Sequence, residues 1–573
     1  MKSRLHVFVA AIGVACVGVL LWSTFASRGA SVRPDELGFL LNGWVLTGHK
    51  EALFGVDFRS FYTAGYGLIT AGAALIGRNM NAQYRISLVA NIGMVVATAG
   101  ALARIGFRHL ALSRRMARTI AIIIALTPAV AANALFAWSE TLSRLAFVII
   151  TLLVFEHVAK PRYATAGLIG ITASFMVIAH GRFTLVPLLA VIFLVLACLP
   201  APRRMAPIAL FGIVAAVVGW IVFTRLNVSL RNDLYPASAG KEGRMLDKLT
   251  NTSNLGSLLR SATGQLWYVL ATSFGLAGVG LMMNVRSIAF GIRRPKNVQW
   301  LAPSFVFAAA GSVALASALQ ILQVIRPDQL VYGRYLEAVS PVFMLFGVAA
   351  LQAGSPGARR AWGWTIVATI GCSTALAAAA KRDELHVMLS EHKFFAIPNS
   401  IALDWALRLF RPAGYLSLTV AFAALSVVLL VGARRSTTIF LALLAALAFA
   451  TTTVTAVRTV VPYRDYFDQI TLDDAIRELS PSHSRSTHIV FDSGGLGGQT
   501  YFDYRYLLHP IQVERADVMW IDRAPLRCVI GSVDRAPEDA GWTIAAREND
   551  AASRTKQPRG NIVLWKRTGV DSC

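Results

Sequence analysis

Long apolar runs leave this chain few ways to fold. They lie at about 6–25, 84–103, 119–136, 141–157, 163–179, 183–199, 206–224, 266–285, 302–322, 337–354, 363–380, 415–432 and 437–456. Each is about the length a helix needs to cross the hydrocarbon of a bilayer. Lipid offers no partner for an open N–H or C=O, so spanning segments must close their hydrogen bonds as helices. The predicted fold is a polytopic α-helical membrane protein with about thirteen transmembrane helices. Charged residues make up only 15% of the chain, against about 25% in a soluble domain.

A net charge of +24 invites a nucleic-acid reading, but the placement of the charges argues against it. With the N-terminus inside, the short inner loops hold Lys2 and Arg4, then Arg104 to Arg118, Lys160 and Arg162, and Arg203 and Arg204. The series continues with Arg286 to Lys296, Arg359 and Arg360, and Arg434 and Arg435; Glu156 is the one acid on that side. This is the positive-inside pattern. It predicts a multi-pass protein of the plasma membrane with a cytoplasmic N-terminus and no nucleic-acid partner. The first run exceeds the 7–15 residues of a signal-peptide core, so an uncleaved anchor is expected.

The outer segments are longer than the inner ones. Residues 26–83 contain "FRSFYTAGYGLITAGAALIG", which predicts helices on or dipping into the outer interface. "SIALDWALRLFRPAGY", within 381–414, predicts an amphipathic interfacial helix. Taking 1–456 as the membrane domain, 457–573 has a different texture. Its apolar runs are of strand length ("STHIVFDS", "RCVIGSV", "NIVLWKR"), and "DQITLDDAIRELS" reads as a helix. A small extracytoplasmic α/β or α+β domain is predicted there. "DSGGLGGQTY" lacks the Lys-Ser/Thr ending of a phosphate loop and reads as a turn. Cys16, Cys198 and Cys372 fall in or beside spans as apolar packers. Cys528 and Cys573 share an oxidising compartment and form a candidate disulfide.

Ionisable residues at a membrane boundary are costly and so are candidates for function. Those expected on the outer side are Asp35 and Glu36, Asp57 and Arg59, Glu140 and Arg144, His180 and Arg182, then Arg326, Asp328, Arg334 and Glu337. Each also has a structural reading. Glu140 and Arg144 are four apart and can pair across one helical turn. Asp35 and Glu36 can stabilise a helix start after Pro34. Arg182 and Arg334 can snorkel to headgroups. Together they have chemical sense. A carboxylate can take the proton of an acceptor hydroxyl, and arginines can hold a phosphate and its departing charge.

At this point the sequence resembles the GT-C superfamily of membrane glycosyltransferases. "RPDELGFLLNGWVL" is similar to that family's acidic first-loop motif. "YTAGYGLITAGAALIG" leads into the next span as its Gly/Tyr segment does. "TPAVAANALFAWSETLSRLAF" resembles its Pro…Ser-Glu-Thr-Leu segment, and "VYGRYLEAVSPVF" its late Arg-Tyr motif. The resemblance implies a sugar transferase acting on the outer face. It would use a polyprenyl-phosphate donor and an envelope glycan, glycolipid or protein acceptor, with inversion at the anomeric carbon. It implies Asp35 as general base, with Glu36 as alternate, and Arg334 and Tyr335 at the donor phosphate. Position adds Arg182, His180 and Arg59 to the phosphate site, and Tyr66 and Glu140 to the substrate cavity. No cofactor is expected. No DxD-like acid pair points to a metal, which leaves metal dependence open. A lipid-linked sugar transporter or flippase and a non-catalytic envelope-assembly protein are the alternatives. Against transport, the span interiors are nearly free of charge and no repeat is visible.

Overall fold

A computed structural model describes residues 2–26, 34–49, 61–77, 79–235, 251, 254–293, 298–322, 333–379, 415–461, 470–480, 488–496, 498–509, 511–516, 527–535, 537, 541–548, 561–570 and 572–573. Arg59, Asp57, Arg326, Asp328 and the expected interfacial helix within 381–414 lie outside these residues. Among those described, seven helices are long and apolar enough to cross a membrane, or up to nine if each of two bent pairs is one span. The expectation of about thirteen is therefore not matched by length and composition.

The bent pairs show that one apolar run need not be one straight helix. The run at 119–136 is divided into Arg114–Ala125 and Pro128–Leu135, set at 69°. Pro128 opens the second helix, where its missing N–H costs no hydrogen bond. The run at 266–285 is divided into Leu255–Thr272 and Leu276–Ile292, set at 109°. Three further apolar helices, Ala64–Ile76, Tyr163–Ala179 and Ser340–Gln352, fall short of spanning length.

The segment expected at the outer interface forms two short helices that pack against the rest of the protein. Helices Pro34–Leu46 and Ala64–Ile76 pack together, burying Leu37, Leu40, Leu41 and Tyr66. Side-chain amides and hydroxyls stitch them: Asn42 Nδ2 donates to the Tyr62 carbonyl at 2.9 Å and Thr70 Oγ1 to that of Phe39 at 2.7 Å. Gln83 Nε2 donates to the Leu40 carbonyl at 2.9 Å. Such bonds satisfy polar groups that burial would otherwise strand. Elsewhere small residues bring backbones together. A Cβ on Gly280 would lie 1.8 Å from the Phe343 carbonyl oxygen, so helices Leu276–Ile292 and Ser340–Gln352 meet at a contact only glycine permits.

Five strands follow the membrane helices: β1 (His488–Asp492), β2 (Gln512–Ala516), β3 (Cys528–Ser532), β4 (Trp542–Arg547) and β5 (Ile562–Arg567). Their order is β2-β1-β3-β5-β4; β1 runs parallel to β2 and β3, and β5 antiparallel to β3 and β4. Helix Gly498–Leu507 connects β1 to β2 as a crossover, which parallel strands require. Cys528 and Cys573 are joined by a disulfide, with Cα atoms 5.4 Å apart. One apolar cluster runs from Leu37 and Trp44 of the first short helix to Ile489 and Phe491 of β1. His509 lies with its ring 4.6 Å from that of Trp44, and Tyr506 Oη donates to Asn81 Oδ1 at 3.4 Å. The sheet domain thus rests on the helix that carries Asp35 and Glu36.

Candidate active site

Pro34 starts helix Pro34–Leu46 and sets both acids in its first turn, where the helix dipole favours negative charge. One residue is about 100° of helix rotation, so the two side chains diverge. Asp35 remains 34% exposed. Its Oδ2 accepts from Arg334 Nη2 at 2.8 Å and its Oδ1 from Tyr62 Oη at 3.0 Å. Glu36 is fully buried, and its Oε1 accepts from Tyr84 Oη at 3.1 Å and from the Ala137 amide at 2.9 Å. Glu36, the expected alternate base, is thus set apart from Asp35, in the interior, held by a tyrosine and a backbone N–H.

Arg334 sits in the 3-10 turn Gly333–Leu336. Gly333 lies flat against the Tyr268 ring, where a Cβ would overlap it at 1.8 Å; this close seat fixes where the next side chain starts. The Arg334 Nε donates to Glu140 Oε1 at 2.6 Å, and its guanidinium carbon stands 4.2 Å from the centre of the Trp138 ring. An aromatic face favours a cation there. Arg182 follows in the turn Gly181–Phe183. It lies 4.0 Å over the Tyr335 ring, donates from Nη1 to the Tyr335 carbonyl at 2.9 Å, and donates from Nε to His180 Nδ1 at 3.2 Å. Its Nη2 is 3.8 Å from the same Glu140 oxygen. The charges alternate: Asp35, Arg334, Glu140, Arg182. Glu140 Oε2 is buried and, among the described residues, has no hydrogen-bond partner.

A second acid–arginine group lies deeper. Arg144 Nη2 is 3.8 Å from Glu337 Oε2, and both side chains are almost wholly enclosed. Glu337 also accepts short hydrogen bonds from Tyr268 and Asn133. Arg144 donates to the carbonyls of Ala129, Val130 and Glu337 at 2.5, 3.2 and 3.3 Å. Glu140 and Arg144 do not pair along their own helix; each takes its partner from the 333–337 turn.

Of the residues singled out in the sequence, the structure gathers Asp35, Glu140, His180, Arg182, Arg334 and Tyr335. It holds Glu36 apart. Tyr66, expected to line the substrate cavity, is wholly buried, and its hydroxyl donates to Asn91 Oδ1 at 3.0 Å. Tyr62 and Trp138 were not singled out, yet they touch Asp35 and Arg334 directly. The one signal in their favour is aromatic residues beside the charged motifs, in "FYTAGY" and "FAWSET". Among the described residues, no group of three His, Cys, Asp or Glu side chains gathers that could hold a metal ion.

No family model matches the sequence, and no curated protein matches it. Solved structures do. The chain shares with them the fold of a multi-pass helical protein with a small C-terminal sheet domain. It is similar to ArnT from Cupriavidus metallidurans, in its apo state and bound to undecaprenyl phosphate. Each comparison gives 14% identity, a TM-score of 0.55 and coverage of 99% of both chains. An Archaeoglobus fulgidus oligosaccharyltransferase matches at 11% identity over 92% of this chain and 69% of its own, with a TM-score of 0.41.

Proposed function

We propose that this protein transfers a sugar from a polyprenyl-phosphate donor to a hydroxyl of an envelope glycan, glycolipid or protein acceptor, on the outer face of the membrane. The observation that carries the reading is the 2.8 Å contact of Asp35 with Arg334, at a partly open position backed by Arg182. The ArnT structure with undecaprenyl phosphate supports a lipid phosphate as the donor's leaving group.

In this reading the donor phosphate takes the place of the Asp35 carboxylate on Arg334, with Arg182 adding a second guanidinium. Asp35 is then free to accept the acceptor's proton. The acceptor oxygen bonds to the anomeric carbon while the bond from that carbon to the phosphate oxygen breaks. Polyprenyl phosphate leaves with the electron pair, and its charge rests on the two arginines. Attack opposite the leaving group inverts the configuration. Tyr62 holds Asp35, and Trp138 and Glu140 hold Arg334.

The test is purified protein incubated with a panel of polyprenyl-phosphate sugars and an envelope extract as acceptor, reading release of polyprenyl phosphate. Release from one donor, lost in Asp35→Asn, is expected. Sugar-lipid flux across liposomes without release would replace this reading with transport.

A further inference from the structure

At the opposite end of helix Ser340–Gln352 from Arg334, roughly 20 Å away by helix length, lies a groove of about 500 Å³ between helices Pro356–Ala379 and Tyr415–Arg435. Arg359, Arg360 and Arg434 stand around it, and Trp364, Val367 and Leu430 supply apolar lining. All three arginines are exposed, and among the described residues none makes a salt bridge. The sequence holds no Asp or Glu from 338 to 382 or from 405 to 464, so neither helix carries an acid to neutralise them.

Two features separate this groove from ordinary loop charge. Arg359 closes the first turn of its helix and Arg360 follows it directly, near the end where the dipole disfavours cations and favours an anion. Arg434, at the end of its helix, is in the favoured place. The orientation rule accounts for the sign of such charges but not for three of them around one groove. Trp364 is 63% exposed and Val367 58% exposed, continuing the groove along the apolar length of the helix. A charged end that leads into an apolar track matches a molecule with an anionic head and hydrocarbon tails.

We infer that this groove binds an anionic phospholipid of the leaflet opposite the candidate active site, its phosphate held by Arg359, Arg360 and Arg434 and its acyl chains against Trp364 and Val367. The inference stands apart from the proposed transferase activity and is tested without it. The full-length protein is reconstituted in phosphatidylcholine vesicles containing a small fraction of brominated phosphatidylglycerol or brominated phosphatidylcholine. Bromine quenches nearby tryptophan. The contribution of Trp364 is the difference between wild type and Trp364→Phe.

Stronger quenching of Trp364 by the brominated anionic lipid is expected. Its preference should fall about fivefold for each of Arg359→Gln, Arg360→Gln and Arg434→Gln. The pair Arg203→Gln and Arg204→Gln, at another basic helix start, should leave it unchanged. Arg→Lys at all three positions keeps the charge and should retain most of the preference. Equal quenching by the two lipids, or a preference that survives loss of all three arginines, overturns the inference. So does loss of the preference in excess inorganic phosphate at matched ionic strength, which assigns the groove to a small anion.

Discussion

Two acid–arginine groups lie side by side in this protein, made of the same residue types from the same two segments. Helix Glu140–Ala159 supplies Glu140 and Arg144, one turn apart, and the 333–337 turn supplies Arg334 and Glu337. They pair crosswise, Glu140 with Arg334 and Arg144 with Glu337. The difference lies in what surrounds them. Arg144 and Glu337 are closed in, with backbone carbonyls, Tyr268 and Asn133 as fixed partners. Around Arg334 the third member is Asp35, a third exposed and on a separate helix. A closed pair with all its bonds made sets the position of a turn; an open pair can exchange a partner for a ligand.

Exchanging the roles would break this comparison, and the largest effect tests it first. Asp35→Asn is expected to lower sugar transfer by about 10²- to 10⁴-fold, with the thermal unfolding midpoint in detergent unchanged. A large fall in the midpoint would make Asp35 a structural acid like Glu337. The deeper pair should behave the other way. Glu337→Ala strands a buried guanidinium and is expected to cost about 3–5 kcal/mol of stability, read as a lowered midpoint. Adding Arg144→Leu removes the stranded charge and should recover much of the loss, which a double-mutant cycle measures. A smaller effect sharpens the open site: Tyr62→Phe removes one hydrogen bond to Asp35 and should slow transfer by about fivefold, with the midpoint little changed.

The sequence made the membrane class legible because lipid forces apolar runs into helices, and strand-length runs marked the sheet domain. The charged motifs stood out because ionisable groups at a membrane boundary are rare. What stayed hidden was pairing. Glu140 and Arg144 have the spacing of a helical pair, but the fold turns each toward residues nearly two hundred positions away. No local pattern encodes that register. Asp35 and Glu36 looked interchangeable because adjacency in sequence conceals the helix rotation that sends one to the open site and the other to Tyr84. The span count of about thirteen is not confirmed, in part for a similar reason: a run does not report its own bend, and Thr127-Pro128 marks one of the two bends. Tyr62 and Trp138 escaped because an aromatic in an apolar protein is ordinarily core.

A third acid–arginine neighbourhood, in the sheet domain, offers the smallest effect and the contrasting sign. Helix Leu472–Glu478 carries Asp473, Asp474 and Arg477. Burial, then the neighbouring charge of Asp474, raises the Asp473 carboxyl from its ordinary 3.8 to about 6, and Arg477 only partly offsets them. The folded domain therefore prefers Asp473 protonated. That preference contributes stability fully below about pH 4, the unfolded value, and the contribution is lost as pH rises through about 6. Limited proteolysis of the full-length protein across this window should show the sheet domain becoming easier to cut as pH rises. Asp473→Asn, which carries no titrating charge, should flatten the profile. An unchanged profile would mean that Asp473 ionises freely in the fold, so that partial burial costs this carboxylate nothing that Arg477 does not return.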